Sequence, residues 1–579
     1  MYKKTDPQQK LFSVDTQLSF SLRNRLESSW AHFFKMEVLP ILLRCEDQYA
    51  ILYGNTGRPN FSVARLLGLC LLQEFNTLSD QQALDALGFD IRWRYALDVG
   101  DEDDYLSRRS LVEFRRRLVV KDPEMNLIRG VFENIRDTAL KKLKISSSDQ
   151  RIDSTHIISN ICTRGRLDLF SRTLKFFLKS LSKFQFSKVP KAIQKWYMNE
   201  SEGWFGLGPA EQKVKLVELA RYIFKMIIIF EKYKEIKTSE PYQILERLFK
   251  EQCEIRKKNY SKKRSAKNVE VFLKKRTEGE VLQSPYDPDA SYGHKGPGYS
   301  AQITETCNNK DKTEIITDYE VHGAARSDIA KMLPAIDRLE SAGLKPKTFF
   351  ADGGYPSVPS SLKVVEKDID FIAPVNRSRL PDYVISRDQF KFDSKGYVKK
   401  CPMGHSPIDH RILSANNTTS RSLHAIFDGD ICRSCKILDQ CPVRAPNHRD
   451  RSCHHRETVG DFRLEITPGL RLRDHMFSNQ QTTRWKERYK IRSGIEATMS
   501  ELKRSYGLSK LRVRKQVKVC FAVACKLTAC NIKRWAKAHK GSGSLLQHFI
   551  LPIFDPIEFF KTKKIEKSFV LQIKYSLQF

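Results

Sequence analysis

The chain has 579 residues, too many for one ordinary domain, and 101 Lys and Arg against 68 Asp and Glu give it a formal charge of +33. That excess points to a polyanionic partner, nucleic acid before membrane, since the apolar stretch Tyr222 to Phe230 is broken by Lys225 and falls far short of the roughly 20 residues that cross a bilayer. The start, Met1-Tyr-Lys-Lys-Thr-Asp, lacks the apolar core of a secretory signal, and 13 scattered cysteines favour reduced thiols over a disulfide scaffold, so a cytoplasmic protein is expected.

From Arg58 to Leu118 the pattern is helical. Val63, Leu66, Leu67, Leu69 and Cys70 recur at three and four, and Ser79-x-x-Gln82 reads as a capping box that opens the next helix. A second cap, Ser110-x-x-Glu113, predicts a short helix whose Arg115 and Arg116 set cations against DNA phosphates; a merely solvated basic face is the bland alternative. These features predict an N-terminal helical DNA-binding domain over residues 1–145.

Past Asp149 the character changes. Arg151-Ile-Asp-Ser-Thr-His-Ile-Ile is a β-favouring run that carries Asp153, and strict alternation turns His156 to the opposite face, where it packs. Helical spacing returns from Leu167 to about Lys275, which reads as an insertion over about 163–282. Asp287 and Asp289 lie among Pro285, Pro288 and Gly293 in a turn, and Asp289 is kept as a supporting residue near the site. The segments from Tyr299 and from Thr313 then read as a hairpin about Asn308-Asn309-Lys310, followed by a helix from Ser327 to Ala342 closed by Gly343. Lys347-Thr-Phe-Phe-Ala-Asp352 is a buried strand that ends in a carboxylate beside Gly353-Gly354, and Asp370-Phe-Ile-Ala-Pro-Val is another strand.

A cysteine-rich insertion over about 377–484 follows. In it Cys401, Cys432, Cys435 and Cys441 suit either structural zinc or reduced thiols packed in a small domain, with Cys453, His454 and His455 as spare ligands. Long helices start near Trp485. The fold class is therefore α/β: a mixed sheet core over 146–540 with two insertions and an all-helical N-terminal domain. Residues 541–579 form a tail with no readable role.

At about 100° per residue, Tyr489, Arg492, Glu496 and Lys503 share one helical arc about 60° wide. Arg492 and Glu496 at i, i+4 suit a plain surface ion pair; alternatively Glu496 completes a metal site with Asp153 and Asp352 while Tyr489, Arg492 and Lys503 bind phosphates. Those residues carry a resemblance. Asp153 in Ile-Asp-Ser-Thr, Asp352 in Phe-Phe-Ala-Asp-Gly-Gly-Tyr, and Tyr489-x2-Arg492-x3-Glu496-x6-Lys503 resemble the DDE transposases of bacterial insertion sequences, including their Y-R-E-K signature. The segment Asp289-Ala-x4-Lys295-Gly-x-Gly-Tyr299 is similar to the approach to their second strand, which adds Lys295 as a DNA contact.

The resemblance implies a ribonuclease-H-like core, with Asp153, Asp352 and Glu496 as catalytic residues that hold two Mg²⁺ or Mn²⁺ ions. It also implies nicking at terminal inverted repeats, transfer of the freed 3′-hydroxyl to target DNA, and a homodimer on DNA to pair two ends. Two other readings share the same residues: a catalytically silent DNA-binding derivative of a transposase, and a nuclease that cuts without joining.

Overall fold

The computed structural model describes residues 1–5, 14, 16, 18–100, 106–161, 165–199, 208–257, 269–275, 279–309, 313–376, 383–414, 421–445 and 459–539. Two compact units divide the chain: Met1–Arg117 with Ile532–Phe579, and Leu118–Asn531. The expected tail at 541–579 and the spare ligands Cys453, His454 and His455 lie outside the described residues. Among the described residues no helix is long and apolar enough to cross a membrane.

The first unit is helical. Its centre is α1 (Val63–Phe75), which is buried on nearly every side because Leu, Val, Ala and Cys fill most of its positions. The start of α1 is closed by Glu46, a fully buried carboxylate that accepts the Val63 N–H at 2.8 Å. Next comes α2 (Asp80–Phe89), whose capping box has both bonds in place: Gln82 N–H to Ser79 Oγ at 3.3 Å and Ser79 N–H to Gln82 Oε1 at 2.9 Å. The basic helix α3 (Arg108–Lys121) begins before the expected cap, with Ser107 Oγ accepting the Ser110 N–H at 3.2 Å. Trp535 returns to this unit and lies edge-on to Phe33 with ring centroids 5.2 Å apart.

The second unit holds a mixed sheet. Its strands are β1 (Asp149–Ile158), β4 (Ser291–Gly293), β5 (Gly296–Thr306), β6 (Ile316–Gly323), β7 (Thr348–Phe350) and β8 (Asp370–Ile372); the β2 and β3 that intervene, Cys253–Lys257 and Val269–Leu273, form a separate hairpin. β1 runs antiparallel to β5, with Asp153 opposite Ile303, and parallel to β7, which is parallel to β8. β6 and β4 pair with the other side of β5. From Gly298 onward every residue of β5 is buried, as expected of a strand covered on both faces.

Alternation divides the apolar residues between those faces. Ile152, Phe349 and Phe371 pack under a helix, α8 (Ile329–Ser341), through Met332, Ala335, Ile336 and Leu339. Phe350 and Ile372 turn the other way, with Cys307, toward Trp485, Tyr489 and Ile491. Against β6 lies α4 (Asn126–Leu143): Arg129 pairs with Asp318 at 3.0 Å and Arg136 donates to the Thr317 carbonyl at 2.9 Å. These contacts place α4 with the sheet, in the compact unit that begins at Leu118.

The helical insertion has its own core, in which α5 (Arg166–Ser180), α6 (Pro209–Phe230) and α7 (Glu240–Gln252) bury Phe170, Phe177, Phe230 and Tyr242. The cysteine-rich insertion forms a short pair, β9 (Lys391–Phe392) with β10 (Val398–Lys400), and a three-stranded sheet of β11 (Asp409–Ser414), β12 (Arg421–Phe427) and β13 (Phe462–Ile466). The strands of both insertions were missing from the sequence reading, because short segments without sustained alternation carry little periodic signal.

The chain closes with α9 (Thr483–Tyr489), a 3-10 turn (Lys490–Ser493), α10 (Gly494–Ser505) and α11 (Gln516–His539). Asp289 sits at the start of α11, where its Oδ2 accepts the Gln516 N–H at 2.9 Å. Asp287 is fully buried and accepts bonds from the Tyr299 hydroxyl at 2.5 Å, the Lys515 N–H at 2.7 Å and the Ser159 hydroxyl, tying the ends of β1 and β5 to the start of α11. Asp287→Asn would turn an amide N–H₂ toward one of these donors. We expect it to lower unfolding stability by roughly 2–3 kcal/mol, read by chemical denaturation of the full chain.

Candidate active site

The geometry of the site begins with a pair of charges that do not touch the surface. Arg151 on β1 and Glu305 on β5 are register partners, share one face, and pair at 2.7 Å with side chains 9% and 0% exposed. Each has a further bond: Arg151 Nη1 donates to the Ile491 carbonyl at 2.7 Å, and Glu305 Oε2 accepts the Thr498 hydroxyl at 2.7 Å. A buried pair justifies its desolvation only when its remaining hydrogen-bonding positions are filled, and here they are filled by the 3-10 turn and α10. Gly494 lets them approach, because a Cβ at that position would lie 2.2 Å from Arg151 Nη1.

Asp153 shares the Arg151 face of β1, and its carboxylate is divided between two donors: Oδ1 accepts the Ser154 N–H at 2.8 Å and Oδ2 accepts Arg492 Nη2 at 2.8 Å. Asp352, two residues past β7, repeats the arrangement, with Oδ1 on the Gly354 N–H at 2.8 Å and Oδ2 3.8 Å from Arg492 Nη2. Glu496 lies in the first turn of α10, where a carboxylate suits the helix dipole, and its Oε1 accepts Arg492 Nη1 at 3.0 Å. Three carboxylates from three distant segments thus meet one guanidinium. The Arg492 side chain is 14% exposed, Asp153 15%, Asp352 40% and Glu496 66%, so the cluster opens to solvent on the Glu496 side. Burial pushes the Asp153 carboxyl up from its ordinary pKa and Arg492 opposes it, while Asp352 and Asp328 add to the rise.

Asp328 is a residue that sequence reading missed. It stands at the N-cap of α8, where an aspartate looks like an ordinary cap, yet it makes no cap bond; Oδ2 accepts the Ser154 hydroxyl at 3.0 Å and Oδ1 accepts the Gln302 amide at 2.9 Å. The fully buried Tyr355 lies in the same field, its hydroxyl pushed well up by burial and then by Asp328, Asp153 and Asp352. No local signal distinguishes Asp328, since its partners come from β1 and β5.

The remaining predicted residues fall in several environments. The single arc does not survive intact, because the 3-10 turn separates Tyr489 from Glu496. Tyr489 stacks on Trp485 with centroids 4.7 Å apart and packs toward Phe350 and Ile372, so its ring props the turn from below. Lys503 and Lys295 converge electrostatically on half-buried His156, and after burial they are what lowers its pKa. His156 Nε2 is buried without a hydrogen-bond partner among the described residues.

In the helical unit Arg115 pairs with Asp80 at 2.7 Å and donates to Gln73 Oε1 at 2.5 Å. Arg116 remains outward, 62% exposed and paired with Glu113 at 2.7 Å.

Among the described residues no group of three or more His, Cys, Asp or Glu side chains is arranged to hold a metal ion. Between the carboxylates Arg492 intervenes. Cys401, Cys432, Cys435 and Cys441 are half-buried and pack against the core of the cysteine-rich insertion, which contains Phe390, Phe427 and Leu438. Burial, followed by the other three thiols, pushes Cys432 up to about 12.

A mixed sheet that brings three carboxylates together beside one guanidinium defines an α/β protein with an acidic cluster at the sheet's end. Residues 400–536 match the family Transposase DDE domain, and residues 34–117 match the family Transposase domain (DUF772). These two matches support a DDE transposase of insertion-sequence type. The first match covers Arg492, Glu496 and Lys503; Asp153 and Asp352 lie outside both. No curated protein and no solved structure matches the chain.

The Gly494 contact is open to test. Gly494→Ala would drive Arg151 off the Ile491 carbonyl and strain the Glu305 pair. We expect a loss of about 1–3 kcal/mol in stability, measured by thermal denaturation against wild type.

Proposed function

We propose that this transposase binds the terminal inverted repeats of its element and catalyses metal-dependent DNA strand cleavage and strand transfer. The sheet unit would act as a ribonuclease-H-like catalytic domain and the helical unit as a DNA-docking domain that presents Arg116. One observation carries the reading: Asp153, Asp352 and Glu496, hundreds of residues apart, converge on a single cation. The formal charge of +33 supports a DNA partner, and pairing two element ends supports a homodimer on DNA.

The donor chemistry, three carboxylates with Arg492 standing between them, supports divalent metal. Each aspartate has one oxygen held by a backbone N–H and the other turned to a shared positive charge, and carboxylate oxygens suit Mg²⁺ or Mn²⁺ without histidine or cysteine. When bound at Asp153, Asp352 and Glu496, two such ions would neutralise phosphate charge and activate the attacking oxygen. The chain's own groups do the rest. β1 carries Asp153 and the adjacent β7 leads directly into Asp352, and the Arg151–Glu305 pair holds the helix of Glu496 near them. Lys503 and Lys295, around His156, bind the phosphates of the strand to be cut, so that nucleophile and leaving group are aligned by position.

Full-length protein, Mg²⁺, a labelled terminal-repeat duplex and a target plasmid test the proposal. Joined product is expected; cleavage without joining would make the protein a nuclease, and binding alone a silent derivative. Glu496→Gln and Asp153→Asn should retain duplex binding while cleavage falls about 10³-fold or more, read by gel assay. Lys503→Ala should weaken duplex binding and lower the slope of log affinity against log salt by about 1, whereas an unchanged slope would remove Lys503 from the interface.

A further inference from the structure

Arg492 makes three carboxylate contacts and is surrounded by more negative than positive charge. The formal charges of Asp153, Asp352 and Glu496 sum to three negatives against its single positive one, and its closest contacts are 2.8 Å to Asp153 and 3.0 Å to Glu496. Its Nε is buried with no hydrogen-bond partner among the described residues, so the guanidinium is held only through its two Nη groups. The backbone that carries it is anchored independently, because the Ile491 carbonyl is fixed by Arg151 and α10 by Glu305 through Thr498. The side chain can therefore leave the carboxylates without disturbing the turn or the helix. A divalent ion brings twice the charge on a far smaller radius, and the exposed Glu496 gives it a route in from solvent.

We propose that Arg492 is the resident counter-ion of the carboxylate site, neutralising Asp153, Asp352 and Glu496 until a divalent ion displaces its guanidinium. The metal-free site then stays closed by its own side chain, and metal loading and release of Arg492 are one exchange. This rests on the carboxylate metal site proposed above. The exchange makes a particular demand on metal affinity: Arg492 competes directly, whereas Lys503, a cation on α10 with no ion pair to these carboxylates among the described residues, adds only a distant charge.

Mn²⁺ binding to the full-length protein without DNA, followed by electron paramagnetic resonance, tests this. Arg492→Ala and the more conservative Arg492→Gln are expected to bind Mn²⁺ about tenfold more tightly than wild type, with Lys503→Ala within twofold of wild type and Asp153→Asn losing the site. Should Asp153-dependent Mn²⁺ binding be present but no tighter in both Arg492 variants than in Lys503→Ala, the exchange is overturned while the metal site stands. If no protein in the series shows Asp153-dependent Mn²⁺ binding, the metal site itself falls, and the exchange with it.

Discussion

The site depends on the buried Arg151–Glu305 pair. Two opposite charges on neighbouring strands are costly to bury, and they are stable here because the 3-10 turn and α10 complete their hydrogen bonding. The same bonds fix where α10 crosses the sheet. Position and stability are coupled: the helix that carries Glu496 cannot shift without stranding a charge at the centre of the protein. Gly494 belongs to this arrangement, since its missing side chain is the space through which Arg151 reaches the turn.

Above that anchor the electrostatics reverse. Arg151 and Glu305 are balanced, buried and inert, whereas Asp153, Asp352 and Glu496 outnumber Arg492 and open toward solvent. One oxygen of each aspartate is held by backbone, which fixes the carboxylate plane, while the other remains available to whatever cation is present. Asp328 adds to the negative field around Asp153, and the same field with burial keeps the Tyr355 hydroxyl protonated. The contrast between a saturated charge pair and an unsaturated one, both reached from β1, separates scaffold from chemistry.

The two insertions leave this arrangement intact because each closes its own core. Phe170, Phe177 and Phe230 bury one another in the helical insertion, and Phe390, Phe427 and Leu438 collect the four cysteines in the other. The first interrupts the chain between β1 and β4 and the second follows β8, so the pairing of β1 with β5 and β7 is formed by long-range contacts that neither insertion supplies.

What the sequence determined by itself is what depends on neighbours a few residues away. The Ser79–Gln82 box, the periodic burial of α1, the order of strands and helices in the sheet unit, and the acidic and basic residues worth examining all follow from spacing and side-chain chemistry. The tertiary structure decided which charges face which. Arg115 paired with Asp80, Asp328 left its own helix for Ser154, a 3-10 turn broke the arc between Tyr489 and Glu496, and the four thiols gathered against one small core. The reason is that a side chain's partner is set by strand register and by the crossing of elements far apart in the chain. Periodicity shows which face a residue occupies, but not what the fold lays against that face.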